Sequence, residues 1–239
     1  QMASADGADV TSIQLKLADV RELKLGEGEQ ALQIYQQVIG DEPDNQDARR
    51  ALERLLLDPD LKGQAAACLA PIYEQGNQWQ DLAGTYEIRQ ELADDDSERI
   101  DLLHKIAELQ LEQGQDVEGA FNTYARAFKI APDHGKTISR LDDMADQLSF
   151  WSELSAVYSE VVDEISDVDV ATSIHIRLAD ILADRLDERE TAREHYEIAL
   201  NNDESNDHVI QALEQIYFKT EQWESLVTLL IRKVEGPMK

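Results

Sequence analysis

The sequence contains little of several residue types, and each shortage excludes a class of protein. Only one of its 239 residues is cysteine, Cys68, which excludes an internal disulfide and a multi-cysteine metal site. Glycine (11 residues) and proline (5 residues) are too few for a turn-rich all-β fold. No run approaches the roughly 18–20 consecutive apolar residues that a membrane-spanning helix needs. The first ten residues lack the basic start and apolar core of a signal peptide, which favours a cytoplasmic location but leaves the compartment open.

Basic residues are also scarce. The chain has 22 Lys and Arg against 50 Asp and Glu, a net charge of -28 at pH 7. Such a charge repels nucleic acid and anionic lipid, so we expect neither a nucleic-acid partner nor direct membrane insertion. An apolar fraction of 42% and a mean hydropathy of -0.47 are typical of a folded chain rather than a disordered one.

Catalytic and cofactor motifs are missing as well. The phosphate-binding, dinucleotide-binding and nucleophile-elbow patterns do not occur, and the five histidines lack zinc-ligand spacing. The segment 58–69 resembles a calcium-binding loop but has Lys62 and Leu69 where oxygen ligands are required. We therefore predict a non-enzymatic protein with no cofactor, no metal site and no catalytic residue.

An internal repeat dominates what the sequence does contain. The separation between Trp79 and Trp151 equals that between Trp151 and Trp223, and each tryptophan stands in a W-x-[DES]-L pattern. We call this separation the repeat interval. A second marker recurs after the same interval, with Ala120, Tyr124, Ala127 and Pro132 returning as Ala192, Tyr196, Ala199 and Glu204. Two unrelated markers with one period predict a repeat architecture.

Each repeat interval contains four amphipathic stretches with helical periodicity, joined by short turns. This predicts two antiparallel hairpins per interval, and about 13 helices in an all-α solenoid over the whole chain. The second marker also occurs as Ala31, Tyr35, Val38 and Pro43, displaced from the interval by an extra segment that we interpret as one inserted helix near 58–75. The predicted hairpins of this single domain, 1–239, are 11–43, 44–93 with the inserted helix, 97–132, 133–166, 169–204 and 205–235.

The second-helix marker resembles that of the tetratricopeptide repeat (TPR) superfamily, in a divergent, bacterial-type form. Ala120, Tyr124, Ala127 and Pro132 match the family pattern of alanine, aromatic, alanine and proline. In the first helices, Ala18, Ala107 and Ala179 stand where the family usually has glycine. The resemblance implies a right-handed solenoid whose concave face, lined by first helices, binds a protein or peptide. The expected function is thus a protein–protein interaction scaffold.

Residues just off the apolar stripe of the first helices are the expected partner-binding residues. They are Asp19, Glu22, Asp101, His104, Glu108, Glu112, Asp143, Asp146, Asp180 and Asp184. An acidic face of this kind favours a basic peptide or domain. A uniformly acidic, solubility-driven surface explains the same charges, and the sequence leaves both interpretations open.

Two other functions remain open at this point. The chain could be a structural spacer or oligomerisation module, or a regulatory or docking region of a larger enzyme. Its last apolar segment, 226–234, is not followed by a polar capping helix. We therefore expect either a fragment of a longer array or an end-to-end homo-oligomer, since each repeat needs a neighbour to bury its apolar face.

Overall fold

The computed structural model describes the backbone of residues 2–235 and the side chains of residues 10–234. Over this range the protein is all-α, without strands. As predicted, it has thirteen α-helices there: α1 Met2–Val20, α2 Gly28–Asp41, α3 Gln46–Leu55, α4 Lys62–Gln75, α5 Trp79–Leu92, α6 Asp96–Leu109, α7 Val117–Ile130, α8 Gly135–Leu148, α9 Trp151–Val161, α10 Val168–Asp184, α11 Arg189–Asn202, α12 Asp207–Lys219 and α13 Trp223–Glu235. None of these described helices is long and apolar enough to cross a membrane.

Short polar side chains start four of the helices. Asn45, Asp95 and Asn206 each accept a hydrogen bond from a backbone N–H in the first turn of α3, α6 and α12. Asp167 accepts two such bonds at the start of α10. Each cap satisfies N–H groups that have no partner inside the helix, which fixes where the helix begins.

The backbone conformation of the loops recurs along the chain, as the helices do. Asn77, Ser149 and Glu221, each separated from the next by one repeat interval, all have a positive φ between the two helices of a hairpin. A positive φ also occurs in the loops of the other hairpins, at Gly26, Gln115 and Asp187. A left-handed residue at a helix end turns the chain back on itself, so both sets close antiparallel hairpins. The repeat seen in the sequence is therefore also present in the backbone.

The chain divides into two compact units, Gln1–Ala127 (unit 1) and Phe128–Lys239 (unit 2). Within each, the second helix of one hairpin packs against the first helix of the next, as α5 does on α6 and α9 on α10. Small residues on the first helices, such as Ala107 and Ala179, are fully buried. Their size permits close helix approach, which is why alanine serves in place of glycine.

The region of the predicted insertion contains the expected helix, α4, which runs without interruption through Pro71. The structure adds that α4 keeps the repeat register. Tyr73 donates a hydrogen bond to Glu53, and Tyr217 on α12 donates one to Glu197 at the same sequence separation. By the same contact α3, which carries Glu53, corresponds to α11, which carries Glu197. Helix α3 packs against both α2 and α4.

Candidate functional site

A groove in unit 1, here called the Trp79 groove, lies between the α4–α5 hairpin and α6. It has a volume of about 420 Å³. Trp79, Leu82 and Tyr86 form its apolar side. Three carboxylates and one lysine, Glu74, Glu108, Glu112 and Lys105, form its charged side. Lys105 lies over the Tyr86 ring, 5.6 Å from its centroid.

A second groove, the Trp151 groove, lies in unit 2 between the α8–α9 hairpin and α10. Its volume is about 510 Å³. Its charged lining comprises five carboxylates and two arginines: Asp142, Asp143, Asp146, Asp180, Asp184, Arg177 and Arg185. An excess of carboxylates in a concave surface focuses negative potential, which favours a cationic ligand.

The two grooves are the same feature repeated. One repeat interval relates the residues that line both of them: Glu74 to Asp146, Trp79 to Trp151, Lys105 to Arg177, Glu108 to Asp180, Glu112 to Asp184 and Gln113 to Arg185. The charge sign is retained at every pair except the last. The repeat therefore includes charged residues of the surface as well as residues of the core.

The tryptophans differ in what covers them. The guanidinium of Arg185 lies 4.4 Å from the Trp151 ring centroid and is 3.4 Å from a carboxylate oxygen of Asp146. The Trp79 ring packs closely against Gly114, where an added Cβ would lie 2.7 Å from its Cη2 atom. The indole of the Trp151 groove is thus already occupied by a cation of the same chain.

Tyrosines on the second helices hold several of the acidic residues in place. Tyr158 donates to Asp142 over 3.3 Å, and Tyr196 donates to Asp180. Burial is the main reason why the pKa of each of these tyrosines is raised, and the carboxylate acceptor raises it further. Burial also raises the pKa of Asp142, although the nearby Arg177 favours the carboxylate form.

The same spacing between tyrosine and acid along the chain occurs at Tyr35 in unit 1. Its hydroxyl is 2.8 Å from Asp19 and 2.9 Å from Glu22. Arg54 of α3 donates to both carboxylates, at 3.3 and 2.6 Å. Asp19 and Glu22 therefore belong to a hydrogen-bonded network that connects α1, α2 and α3, and only Asp19 is exposed.

The structure distributes the ten predicted binding residues unequally. Six line the two grooves: Glu108, Glu112, Asp143, Asp146, Asp180 and Asp184. Asp101 is exposed on α6 outside both grooves. His104, which the sequence placed on the exposed face, is instead buried at 2% exposure with its ring edge-on to Tyr124. An imidazole is small enough and apolar enough to fill a core position, and its place beside the apolar stripe of α6 does not reveal this.

Sequence reasoning missed the aromatic side of each groove. At the level of sequence, Trp79 and Trp151 served only as markers of the repeat. Both are partly buried, and each lines one of the two grooves. Arg177 and Arg185 were missed altogether, although the repeat interval that relates them to Lys105 and Gln113 was available as a signal.

Unit 2 also contains a histidine pair that unit 1 lacks. The Nδ1 atoms of His175 on α10 and His195 on α11 are 2.9 Å apart, close enough for one hydrogen bond. Burial lowers the pKa of both histidines. The nearby Asp163 acts in the opposite direction on both, as does Glu194 on His195. Within residues 10–234, no group of three or more His, Cys, Asp or Glu side chains is placed to hold a metal ion.

The first hairpin is similar in sequence to a known protein family. The family model for the tetratricopeptide repeat matches residues 13–45, which cover part of α1, all of α2 and the turn that follows. The match covers one hairpin, and over these residues the chain is similar to a tetratricopeptide repeat. Later hairpins also have a positive-φ loop residue, and tyrosine–acid pairs like that of Tyr35 and Asp19 recur at Tyr158 and Tyr196.

Three of the solved structures that are similar to this chain cover most of its length. MamA MSR-1 is 16% identical over 73% of this chain and 96% of its own, with a TM-score of 0.38. Pseudomonas aeruginosa PilF is 16% identical over 97% of this chain and 94% of its own, with a TM-score of 0.37. YrrB, described as a TPR protein with an unusual peptide-binding site, is 12% identical over 83% of this chain and 89% of its own, with a TM-score of 0.33. No curated protein matches the sequence.

Proposed function

We propose that the protein is a non-catalytic interaction module that binds a basic segment of a partner protein in its tryptophan-lined acidic grooves. One observation carries this proposal: the Trp79 and Trp151 grooves repeat both their indole and their carboxylates after one repeat interval. A lysine or arginine side chain suits such a groove, since it can pair with carboxylates while its stem or its guanidinium contacts the indole.

The acceptors for such a ligand follow from the ion pairs already present in the Trp151 groove. Arg177 is 3.0 Å from Asp142, and Arg185 is 3.4 Å from Asp146. Asp143 and Asp184 are exposed and have no ion pair among the described residues. These two carboxylates are therefore the proposed contacts for the partner's cations.

The competing interpretation is a uniformly acidic surface, which a matched charge reversal tests. Asp143→Lys with Asp184→Lys changes the groove. Glu118→Lys with Glu153→Lys changes two exposed acids outside it by the same net charge. A fluorescently labelled arginine-rich peptide serves as the probe, and anisotropy gives its affinity at several salt concentrations.

We expect the groove variant to lose about tenfold or more in affinity, because charged contacts at an interface contribute from one to several kcal/mol. The control variant should lose much less. Binding by the native protein should weaken with salt, because exposed charges are screened beyond about 8–10 Å at 0.1–0.15 M. Equal losses in the two variants would leave only the generic acidic surface.

A further inference from the structure

Helix α1 exposes an apolar face that its counterpart in the array buries. When α1 and α10 are aligned on their buried alanines, Ile13, Leu17 and Val20 correspond to Ile174, Leu178 and Ile181. The three α1 side chains are 65%, 48% and 49% exposed, whereas their α10 counterparts are 1%, 0% and 7% exposed. A contiguous apolar stripe of this kind on a helix marks an interaction surface.

Helix α13 likewise exposes apolar side chains that its counterpart α9 and the turn after it bury. Leu230 and Val234 correspond to Tyr158 and Val162, one repeat interval earlier. Leu230 and Val234 are 42% and 86% exposed, whereas Tyr158 and Val162 are 0% and 2% exposed. Trp223, which begins the same stripe, is also exposed.

The two counterpart helices bury these faces against each other. In unit 2, α9 and the turn that follows it pack on α10, and in unit 1 α5 packs on α6 in the same way. Helix α13 thus carries the α9 half of this junction, and α1 carries the α10 half. We propose that α13 of one copy binds α1 of a second copy and reproduces the α9–α10 junction between chains.

Charged groups at the junction support a second copy as the occupant. Arg177 of α10 is 3.0 Å from Asp142 of α8, and the equivalent residues are Lys16 of α1 and Glu214 of α12. Neither Lys16 nor Lys24, which lies about two helical turns further along the chain, has an ion pair among the described residues. In this acidic chain, lysines beside the α1 stripe would meet a carboxylate on the opposing copy.

The aromatic contact at the junction repeats as well. Arg185 lies 4.4 Å from the Trp151 ring centroid. The equivalent residues are Lys24, next to the α1 stripe, and Trp223, at the start of α13. One chain therefore supplies the cation and its copy supplies the indole, so both halves of the contact are encoded in this sequence.

A contact between two different faces is heterologous, so each bound copy offers a free face to the next, and the product is a closed ring or an open filament. It also leaves the Trp79 and Trp151 grooves unchanged, because none of the stripe residues lines them. The inference is therefore independent of the proposed peptide binding, and either can fail without the other.

Two single substitutions test the junction one face at a time. Leu17→Glu blocks the α1 face and Leu230→Glu blocks the α13 face; both side chains are exposed, so circular dichroism should show an unchanged fold. In sedimentation velocity, the native chain should form species larger than its 27.0 kDa monomer as concentration rises. Each variant alone should remain monomeric, because its intact face has no complementary partner.

The decisive sample is an equimolar mixture of the two variants. One intact α13 face and one intact α1 face then remain, so the mixture should form a dimer and nothing larger. Leu57→Glu, which replaces a side chain of 86% exposure outside both stripes, should assemble like the native chain. Lys16→Glu should weaken assembly, and adding Glu214→Lys to the same chain should restore it. Glu214 also pairs with Lys233 of its own chain, so Glu214→Lys alone is first checked for an unchanged fold.

Three results would overturn the proposal. The first is a native chain that is monomeric at every concentration. The second is self-association of Leu17→Glu alone, which would indicate a symmetric α13–α13 contact. The third is a variant mixture that stays monomeric.

Discussion

The Trp79 and Trp151 grooves have the same plan but differ in one pair of residues, Gln113 and Arg185. In unit 2, Arg185 covers the Trp151 indole and pairs with Asp146. In unit 1, a glutamine stands at that place, and the Trp79 indole instead packs on Gly114. Two repeats can thus have the same kinds of residue lining a groove and still differ in which of these residues are free to contact a partner.

The largest expected effect is the loss of stability when the tryptophans are replaced by alanine. Trp79→Ala and Trp151→Ala should each lower the free energy of unfolding by about 3 kcal/mol, the lower end of the range for buried tryptophans, because both are only partly buried. Trp223→Ala is the matched control, and its loss should be much smaller, since Trp223 is exposed in the isolated chain. Urea titration measures all three, and a near-zero change at Trp151 would contradict its structural role.

The next largest expected effect is a difference between the two units in how their stability depends on pH. His175 and His195 occur in unit 2, whereas Leu103 and Thr123 stand at the equivalent places in unit 1. Burial lowers the pKa of both histidines, so the unfolded chain binds protons at a higher pH than the folded one. Their contribution to stability is therefore present above the unfolded histidine pKa of about 6.5 and is lost as the pH falls through it.

Hydrogen exchange at pH 7.5 and 6 tests this difference. We expect protection in α10 and α11 to fall more than protection in α6 and α7. His175→Leu with His195→Thr, which copies unit 1, should remove the excess loss. An equal fall in both pairs of helices would point to the carboxylates in general rather than to the histidine pair.

The smallest expected effect on stability comes from exchanging the residue that distinguishes the grooves. Arg185→Gln removes an exposed cation–π contact and an exposed ion pair, so the loss should be about 0.5–1 kcal/mol. The same change frees the Trp151 indole and Asp146, so the groove should bind an arginine-rich peptide more tightly. Gln113→Arg should have the opposite effect on the Trp79 groove, and anisotropy titrations of both variants measure it. Weaker binding by Arg185→Gln would show that Arg185 belongs to the recognition surface.

Much of the fold could be predicted because the repeat imposes it. The spacing of Trp79, Trp151 and Trp223, with helical periodicity between them, is sufficient to predict about thirteen helices arranged as antiparallel hairpins. The position of the additional helix was harder to predict. Both α3 and α4 have apolar stripes, and the Tyr73–Glu53 contact relates them to α11 and α12 together.

The candidate site was predictable only in part. Recurrent acids just off the apolar stripe indicated the groove residues Glu108, Glu112, Asp180 and Asp184. Burial of His104 and the network around Asp19 depend on side chains from other helices, Tyr124, Tyr35 and Arg54. No spacing along a single helix contains that information.

The sequence by itself determined the helices, the hairpin period and the acidic character of the first helices, because these depend on local periodicity and composition. The tertiary structure decided which acids are free and which are held by tyrosines and arginines, because hydrogen bonds form between helices that are distant in sequence. It also decided which apolar stripes are covered. The stripes of α1 and α10 look alike in sequence, but among the described residues only that of α10 is buried by a neighbouring helix.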